Sequence, residues 1–436
     1  MTYRIGLLII STFFFSSPLY AQSLSIEERH IVQAIQKQQP EQLLLLEKLV
    51  NINSGTENLE GVYAVGKQLE AEFQSLGFTT RWEEEPPALH RAGTLIATHP
   101  GARGKRILLL GHLDTVFPQE SAFQHFQRHH DLATGPGVVD DKGGDVVLLY
   151  ALKGLKAAHA LEEADITVAL MGDEENSGKP TSLSRKSLRA AAQNKDAALG
   201  FELANTLDTA TIARRGIAQW TLKTEGIEAH SSEILTPSVG AGAVFELSRI
   251  LQGMYSILVK NPSVSINASV IWGGTLFKND KKDFSGWSSG ASNVVPKIAI
   301  AKGDLRFLTL KEKAVTEKYL QTITQQHLAH TTASLFFKEG IPSMPPTFQN
   351  KALLRQYSDI SIALGYGAVH EQDPLLRGAA DISYVASRIP ANLDGLGPLG
   401  TNTHSARETV NIPSLTTQTE KAALLIYRLI KQPREK

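Results

Sequence analysis

Residues 108–116 read Leu-Leu-Leu-Gly-His-Leu-Asp-Thr-Val, an apolar run that breaks at glycine into histidine and aspartate. From Arg106 to Leu110 the run is short and flanked by turn residues, which reads as a buried strand. His112 and Asp114 follow two residues apart, so in an extended segment both point to the same side. Ile166 to Met171 and Ala197 to Phe201 have the same buried-strand character, and Asp145 to Ala158 between them has the length and periodicity of a helix. Strand, helix, strand in succession predicts an α/β layer with a mostly parallel sheet. Ligands in such a layer bind beyond the C-terminal ends of the strands. The polar residues of this chain gather there. Met171 is followed by Gly-Asp-Glu-Glu, which supplies Glu174 and Glu175, and Phe201 is followed by Glu202. Gly135-Pro-Gly-Val-Val-Asp-Asp-Lys-Gly-Gly sets Asp140 and Asp141 in a glycine-bounded loop at a helix start, and His404 lies in Gly400-Thr-Asn-Thr-His-Ser.

Outward from this stretch the chain divides into blocks. Upstream, Leu59, Val62, Val65, Leu69, Phe73 and Leu76 recur at three- and four-residue steps before Gly77, an amphipathic helix with a glycine stop. From 215 to 340 the rhythm changes. Strands at Gln219–Thr224, Ser265–Trp272, Lys297–Leu308 and Ala333–Lys338 alternate with helices at Ser238–Leu258 and Leu310–His327, the order βαββαβ. That order describes a small open-faced sandwich of the ferredoxin-like type. Lys278 to Gly290 reads as a long hairpin loop. The last block, 341–436, resumes α/β character and ends in a helix from Thr416 to Lys431. The expected architecture is a catalytic layer built from 22–214 and 341–436, interrupted by an inserted domain at 215–340. Met1 to Ala21 carries Arg4, an apolar run from Ile5 to Phe15, then Ser-Ser-Pro-Leu-Tyr-Ala. This is the pattern of a secretory signal peptide cleaved after Ala21, which places the mature protein in the periplasm or outside the cell.

Composition narrows the classes. The 436 residues carry 44 Lys and Arg against 44 Asp and Glu, a formal net charge of zero, which argues against a basic nucleic-acid binder. Hydrophobic residues make up 42%, enough for a core, and the length suits about two domains. There is no cysteine, so disulfides, thiolate metal sites and a cysteine nucleophile are excluded. No apolar run after the signal is long enough to span a membrane.

Histidine, aspartate and glutamate without thiolate suit Zn²⁺ or a similar divalent ion. Five candidate ligands, His112, Asp140, Glu175, Glu202 and His404, exceed one tetrahedral site and would fill two if one carboxylate bridges. Glu174 is then a spare carboxylate able to take a proton from water. Each piece has a plainer reading: His-x-Asp as a structural hydrogen bond, Glu-Glu as a solvated turn, Asp-Asp as a helix cap. Their conjunction at successive strand ends is what points to a metal site.

These motifs, in this order, resemble the di-zinc peptidases and amidohydrolases of the aminoacylase and glutamate carboxypeptidase family. The resemblance covers nearly all of the mature chain and is strongest to the exported glutamate carboxypeptidase branch. It implies that Asp140 bridges two Zn²⁺ ions and is joined to Asp141 by a cis peptide. It implies His112 and Glu202 on one ion, Glu175 and His404 on the other, with Co²⁺ or Mn²⁺ as alternative metals. Asp114 would orient the His112 ring, and Glu174 would act as general base. His230, in Glu228-Ala-His-Ser, resembles a histidine supplied across a homodimer to stabilise the oxyanion. Arg306, in Gly303-Asp-Leu-Arg-Phe, resembles the arginine that grips the substrate carboxylate, and Asn267 is a second substrate-binding candidate. Asp381 matches a family position near the His404 side. Two departures stand out: Asn176-Ser177-Gly178 delays the glycine expected soon after the Glu-Glu pair, and no lysine is placed to read a glutamate side chain.

The implied protein is a zinc-dependent hydrolase of carboxypeptidase type. It would cleave a peptide or N-acyl amide bond and release an amino acid with a free α-carboxylate, glutamate among them. It would dimerise through the inserted domain and have neither nucleic-acid nor membrane partners once the signal is removed. An N-acyl-amino-acid deacylase or an aminopeptidase on the same scaffold is the alternative. A zinc-dependent binding protein is the non-enzymatic one, which the presence of Glu174 argues against.

Overall fold

The computed structural model describes residues 23–258, 263–279 and 284–434. The expected signal peptide lies outside the described residues. A six-stranded sheet runs in the order Thr79–Glu83, Thr94–His99, Ala164–Met171, Arg103–His112, Ala197–Gly200, Ala391–Leu393. Its first two pairings are antiparallel and the other three parallel. The strand Arg103–His112 is flanked on both sides by parallel partners, so His112, its last residue, opens onto the carboxyl rim.

Helices cover both faces, and the alternation of side chains along the strand explains why. Ile107 and Leu109 join the larger core, with residues from the helices Ile26–Lys37, Leu59–Ser75, Lys142–Ala157 and Ile412–Lys431. Leu108 and Leu110 join a second core with Leu188, Ile382, Val385 and Ile389. The helix Leu59–Ser75 is capped by Asn58, and the chain turns after it at Gly77, whose φ of 95° only glycine adopts without strain. The helix expected from Asp145 begins at Lys142, and the one expected from Thr416 begins at Ile412. Lys142, Gly143 and Gly144 carry no apolar period that would have disclosed the earlier start.

The second sheet runs Ser265–Gly274, Ile298–Phe307, Gly216–Glu225, Thr332–Glu339, antiparallel throughout. Helices Gly242–Leu258 and Leu310–Gln325 complete the βαββαβ order of a ferredoxin-like sandwich. Ala218, Trp220 and Leu222 alternate into its apolar core, where Leu247, Ile250 and Leu305 meet them. The Lys278–Gly290 stretch is part of a hairpin in which Leu276–Asn279 pairs with Gly286–Ser289. Where the chain passes between the two sheets, Arg214 and Met344 exchange backbone hydrogen bonds of 2.9 and 3.0 Å. Among the described residues no helix is long and apolar enough to cross a membrane.

Candidate active site

Two clusters form at the carboxyl rim of the six-stranded sheet, and they share Asp140. His112 Nε2 lies 3.2 Å from Asp140 Oδ1 and 3.9 Å from Glu202 Oε1. His404 Nε2 lies 3.2 Å from Asp140 Oδ2 and 3.2 Å from Glu175 Oε2. In each group, His112 with Asp140 and Glu202, and Asp140 with Glu175 and His404, the donor atoms fall within 4.8 Å of one another. The five expected ligands are therefore brought together, and in the expected pairing.

The electrostatics of the two groups suit a divalent cation. Burial and the charge of Asp140 push Glu202 up to about 7, and burial likewise raises Glu175, whose Oε1 is buried without a partner. Burial works against the ionised form of Asp140 as well. Hydrogen bonds from both imidazoles outweigh it and hold this carboxylate well below its usual range. Hydrogen bonds to Asp140 and Glu175 in turn raise His404 to about 10. Imidazole protons do here what divalent ions would do better, since a metal replaces those protons with a larger charge. Imidazole nitrogens and carboxylate oxygens with no thiolate suit zinc and its neighbours.

Three supports hold the ligands. Asp114, fully buried, places Oδ1 3.3 Å from His112 Nδ1 and accepts hydrogen bonds from Thr56 Oγ1 at 2.6 Å, Glu174 N at 3.0 Å and Glu175 N at 3.2 Å. One carboxylate thus orients the histidine and the Glu174–Glu175 backbone together. Glu408 accepts from the backbone N–H groups of Val139 at 3.0 Å and Asp140 at 3.1 Å, and the Asp140–Asp141 peptide is cis. The third support is Arg185, buried entirely. It bonds Asp173 Oδ1 at 2.6 Å, the Asp173 carbonyl at 3.0 Å, Ser177 Oγ at 2.9 Å and Asp381 Oδ1 at 2.7 Å. The late glycine finds its reason here: Gly178 N–H closes the loop onto Asp173 Oδ2 at 2.7 Å.

Glu174 sits between these supports, lining a narrow pocket with His112, Glu202, Asp381 and Asp394. Burial first, then the charges of Glu202 and Asp381, push its carboxyl well above the usual range. Asp381 pairs with Arg185 and lines the pocket that holds Glu174 and Glu202.

His230, Arg306 and Asn267 lie on the four-stranded sheet or its loops and, among the described residues, touch no cluster ligand. His230 is exposed, its Nδ1 2.8 Å from Ser232 Oγ. Arg306 Nε donates to Asp304 Oδ2 at 3.0 Å, and Asn267 Nδ2 donates to Ser269 Oγ at 3.0 Å. Asn267 pairs with Asp304 and Ser265 with Arg306 in adjacent strands, so these side chains share one face of the sheet. Sequence reasoning missed Arg185, and it missed Arg214, whose Nε bonds Asp394 at 2.6 Å and whose Nη2 is 3.9 Å from Glu202. The only signal for Arg214 was the pair Arg214-Arg215 before a glycine, and Arg185 had none.

Comparison with known proteins agrees with this geometry. The model of the peptidase family M20/M25/M40 matches residues 108–431. Carboxypeptidase G2 of Pseudomonas sp. (strain RS-16) is 29% identical over 429 residues, covering 97% of this chain and 96% of that protein. Two solved structures share the fold at 14% identity. Aminopeptidase PepT of Bacillus cereus has a TM-score of 0.70, with 90% of this chain and 98% of that one covered. The YXEP protein of Bacillus subtilis, a dinuclear metal-binding peptidase of the M20 family, has a TM-score of 0.63, with 91% and 99% covered. The chain belongs to the peptidase family M20/M25/M40 and is a metallopeptidase.

Proposed function

We propose that the protein is an exported, zinc-dependent hydrolase of carboxypeptidase type that cleaves a peptide or N-acyl amide bond and releases an amino acid with a free α-carboxylate. The observation that carries this reading is the pair of histidine–carboxylate groups sharing Asp140, with the half-buried Glu174 beside them. Likeness to carboxypeptidase G2 over nearly the whole chain supports the reaction type. His112 and Glu202 would hold one Zn²⁺ and Glu175 and His404 the other, with Asp140 between. Bound there, the two ions supply Lewis acidity to the scissile carbonyl and to the water.

The residues of the chain do the rest. Glu174, as the carboxylate, takes a proton from the attacking water as the water oxygen bonds to the carbonyl carbon. It returns that proton to nitrogen as the carbon–nitrogen bond breaks. Asp114 keeps the His112 ring turned toward the cluster. Arg306 and Asn267 hold the substrate α-carboxylate from the lid, and His230 stabilises the oxyanion from across a homodimer. In this reading 22–214 with 341–436 form the catalytic domain, 215–340 is the lid and dimer domain, and residues 1–21 direct export to the periplasm or beyond.

A second reading, an aminopeptidase, has one observation in its favour. The cleft beside Glu175 is lined by Glu57 and Glu120, which would suit a free ammonium group. A panel of N-acyl amino acids and dipeptides, each with a free or amidated C-terminus, separates the two. Chelator-sensitive cleavage only of members with a free carboxylate supports the proposal. Cleavage that requires a free amine moves the protein to the second reading, and no chelator-sensitive cleavage overturns both.

A further inference from the structure

The two flanks of the metal cluster carry opposite charge. On the Glu175 side a cleft of about 430 Å³ is lined by Glu57, Glu120 and Glu175, with no cationic side chain in its lining. On the Glu202 side stand two buried guanidinium groups, Arg214 and Arg377, 2% and 6% exposed. Arg214 is compensated by Asp394 at 2.6 Å and by the Gly378 carbonyl at 2.7 Å. Arg377 is not. Its Nη1 donates to the neutral Asn205 Oδ1 at 2.8 Å, while Nε and Nη2 are buried with no partner.

Burial and the neighbouring Arg214 push Arg377 down to about 10, so it remains a cation at neutral pH. The carboxylates whose charge reaches it are Asp394, Glu202 and Asp140. The first is engaged by Arg214, and the other two are the metal ligands of the proposed function. A buried guanidinium with two donors left unpaired is costly, and the arrangement persists where a ligand supplies the acceptors. The unused atoms are Nε and Nη2, the edge of the guanidinium that matches the two oxygens of a carboxylate. Gly395 faces Nη2, and an ideal Cβ at that position would stand 3.7 Å from it. Gly395 follows Asp394, which with Ala380 and Asp381 lines the pocket containing Glu174 and Glu202.

We propose that Arg377 is a substrate-reading residue whose Nε–Nη2 edge takes a carboxylate of the amino-acid half of the substrate, on the flank opposite the acid-lined cleft. This rests on the hydrolase reading above and gives the site a polarity, with the anionic leaving half beside Glu202 and the acyl half beside Glu175. The carboxylate belongs either to the side chain or to the α-position, and in the second case Arg377 shares it with Arg306 and Asn267.

The experiment compares wild type and Arg377→Gln on N-acyl-glutamate, N-acyl-glutamine and the α-amide of N-acyl-glutamate. The variant is expected to lose about 100-fold in kcat/KM, through KM, on substrates that carry the recognised carboxylate, and about threefold or less on the one that lacks it. Sparing of the glutamine substrate assigns the side-chain carboxylate, and sparing of the α-amide assigns the α-carboxylate. Equal loss on all three, or loss on none, overturns the proposal. Should Arg377→Gln fail to fold, Arg377→Lys keeps the charge without the paired edge and is read the same way.

Titration of zinc-loaded protein with free L-glutamate separates this inference from the hydrolase reading. If wild type cleaves none of the three and no member of the wider panel of N-acyl amino acids and dipeptides, the hydrolase reading falls. Weakening of L-glutamate binding by about tenfold or more in the variant still supports the subsite. Equal binding to both proteins, or no binding to wild type, overturns it.

Discussion

The rim of the six-stranded sheet and the interior of the four-stranded sheet bury different things. At the rim, His112, Asp114, Asp140, Asp141, Lys142, Asp145, Asp173, Arg185, Arg214 and Asp394 are all buried. Inside the four-stranded sandwich the core is Ala218, Trp220, Leu222, Leu247, Ile250 and Leu305, and Glu246 is buried only in company with Arg249 and His327. Apolar burial stabilises on its own, at roughly 25 cal/mol for each Å² removed from water. Buried charge destabilises unless it is paired, hydrogen-bonded or bound to an ion. A rim that holds so many charged groups is therefore a site that an ion and a substrate complete, while the sandwich needs nothing added.

The sharpest way to test this difference is to remove the ions. Chelation is expected to abolish hydrolysis, to lower Tm through loss of rim ligation, and to be reversed by added Zn²⁺. Unchanged activity and Tm after verified metal removal would break the comparison at once. Next in size, Glu174→Gln should lower turnover by about 10²–10⁴-fold with metal content retained, read by steady-state kinetics beside metal analysis. Full activity in that variant would remove Glu174 from the base role.

A third test sets one charge pair against another. Arg185→Met leaves Asp173 and Asp381 buried without their partner and should cost about 3–5 kcal/mol in denaturant unfolding. Lys223→Met on the four-stranded sheet breaks an exposed pair with Glu225 and should cost about 0.5 kcal/mol or less. Similar costs would show that burial is not what distinguishes the regions.

The role of the lid is read by mixing subunits. His230→Ala protein with Glu174→Ala protein should recover activity in verified mixed dimers, and none would be recovered if His230 acts within its own chain. The smallest effect concerns pH. Burial opposes ionisation of Asp196, but hydrogen bonds from the Arg106 side chain and backbone prevail and hold its carboxyl below the usual range. Its contribution is present above the unfolded-state pKa of about 4 and is lost as pH falls through the lower folded value. The stability gap between wild type and Asp196→Asn should close over that interval.

How much was legible follows from distance along the chain. Strand Arg103–His112 declares itself by a local apolar run, the helix Leu59–Ser75 by its period, and the five cluster residues by standing at strand ends in a fixed order. Arg185 and Asp381 meet across 196 residues, Arg214 and Asp394 across 180, and Glu408 reaches Asp140 across 268. Such pairs leave no period and no spacing to read. The departure at Asn176-Ser177-Gly178 was visible as a departure only; its meaning is a loop pinned by a guanidinium from outside the motif.

By itself, the sequence determined the α/β layer, the inserted βαββαβ sandwich and which five residues gather in the cluster, because local hydrophobic period and chemically distinctive side chains are properties of short stretches. The tertiary structure alone decided what holds the Glu174 loop and that Arg377 Nε and Nη2 are buried with no hydrogen-bond partner. Those are matters of burial and of contact between remote segments, and the energy of a charge depends on what surrounds it rather than on its neighbours in the chain.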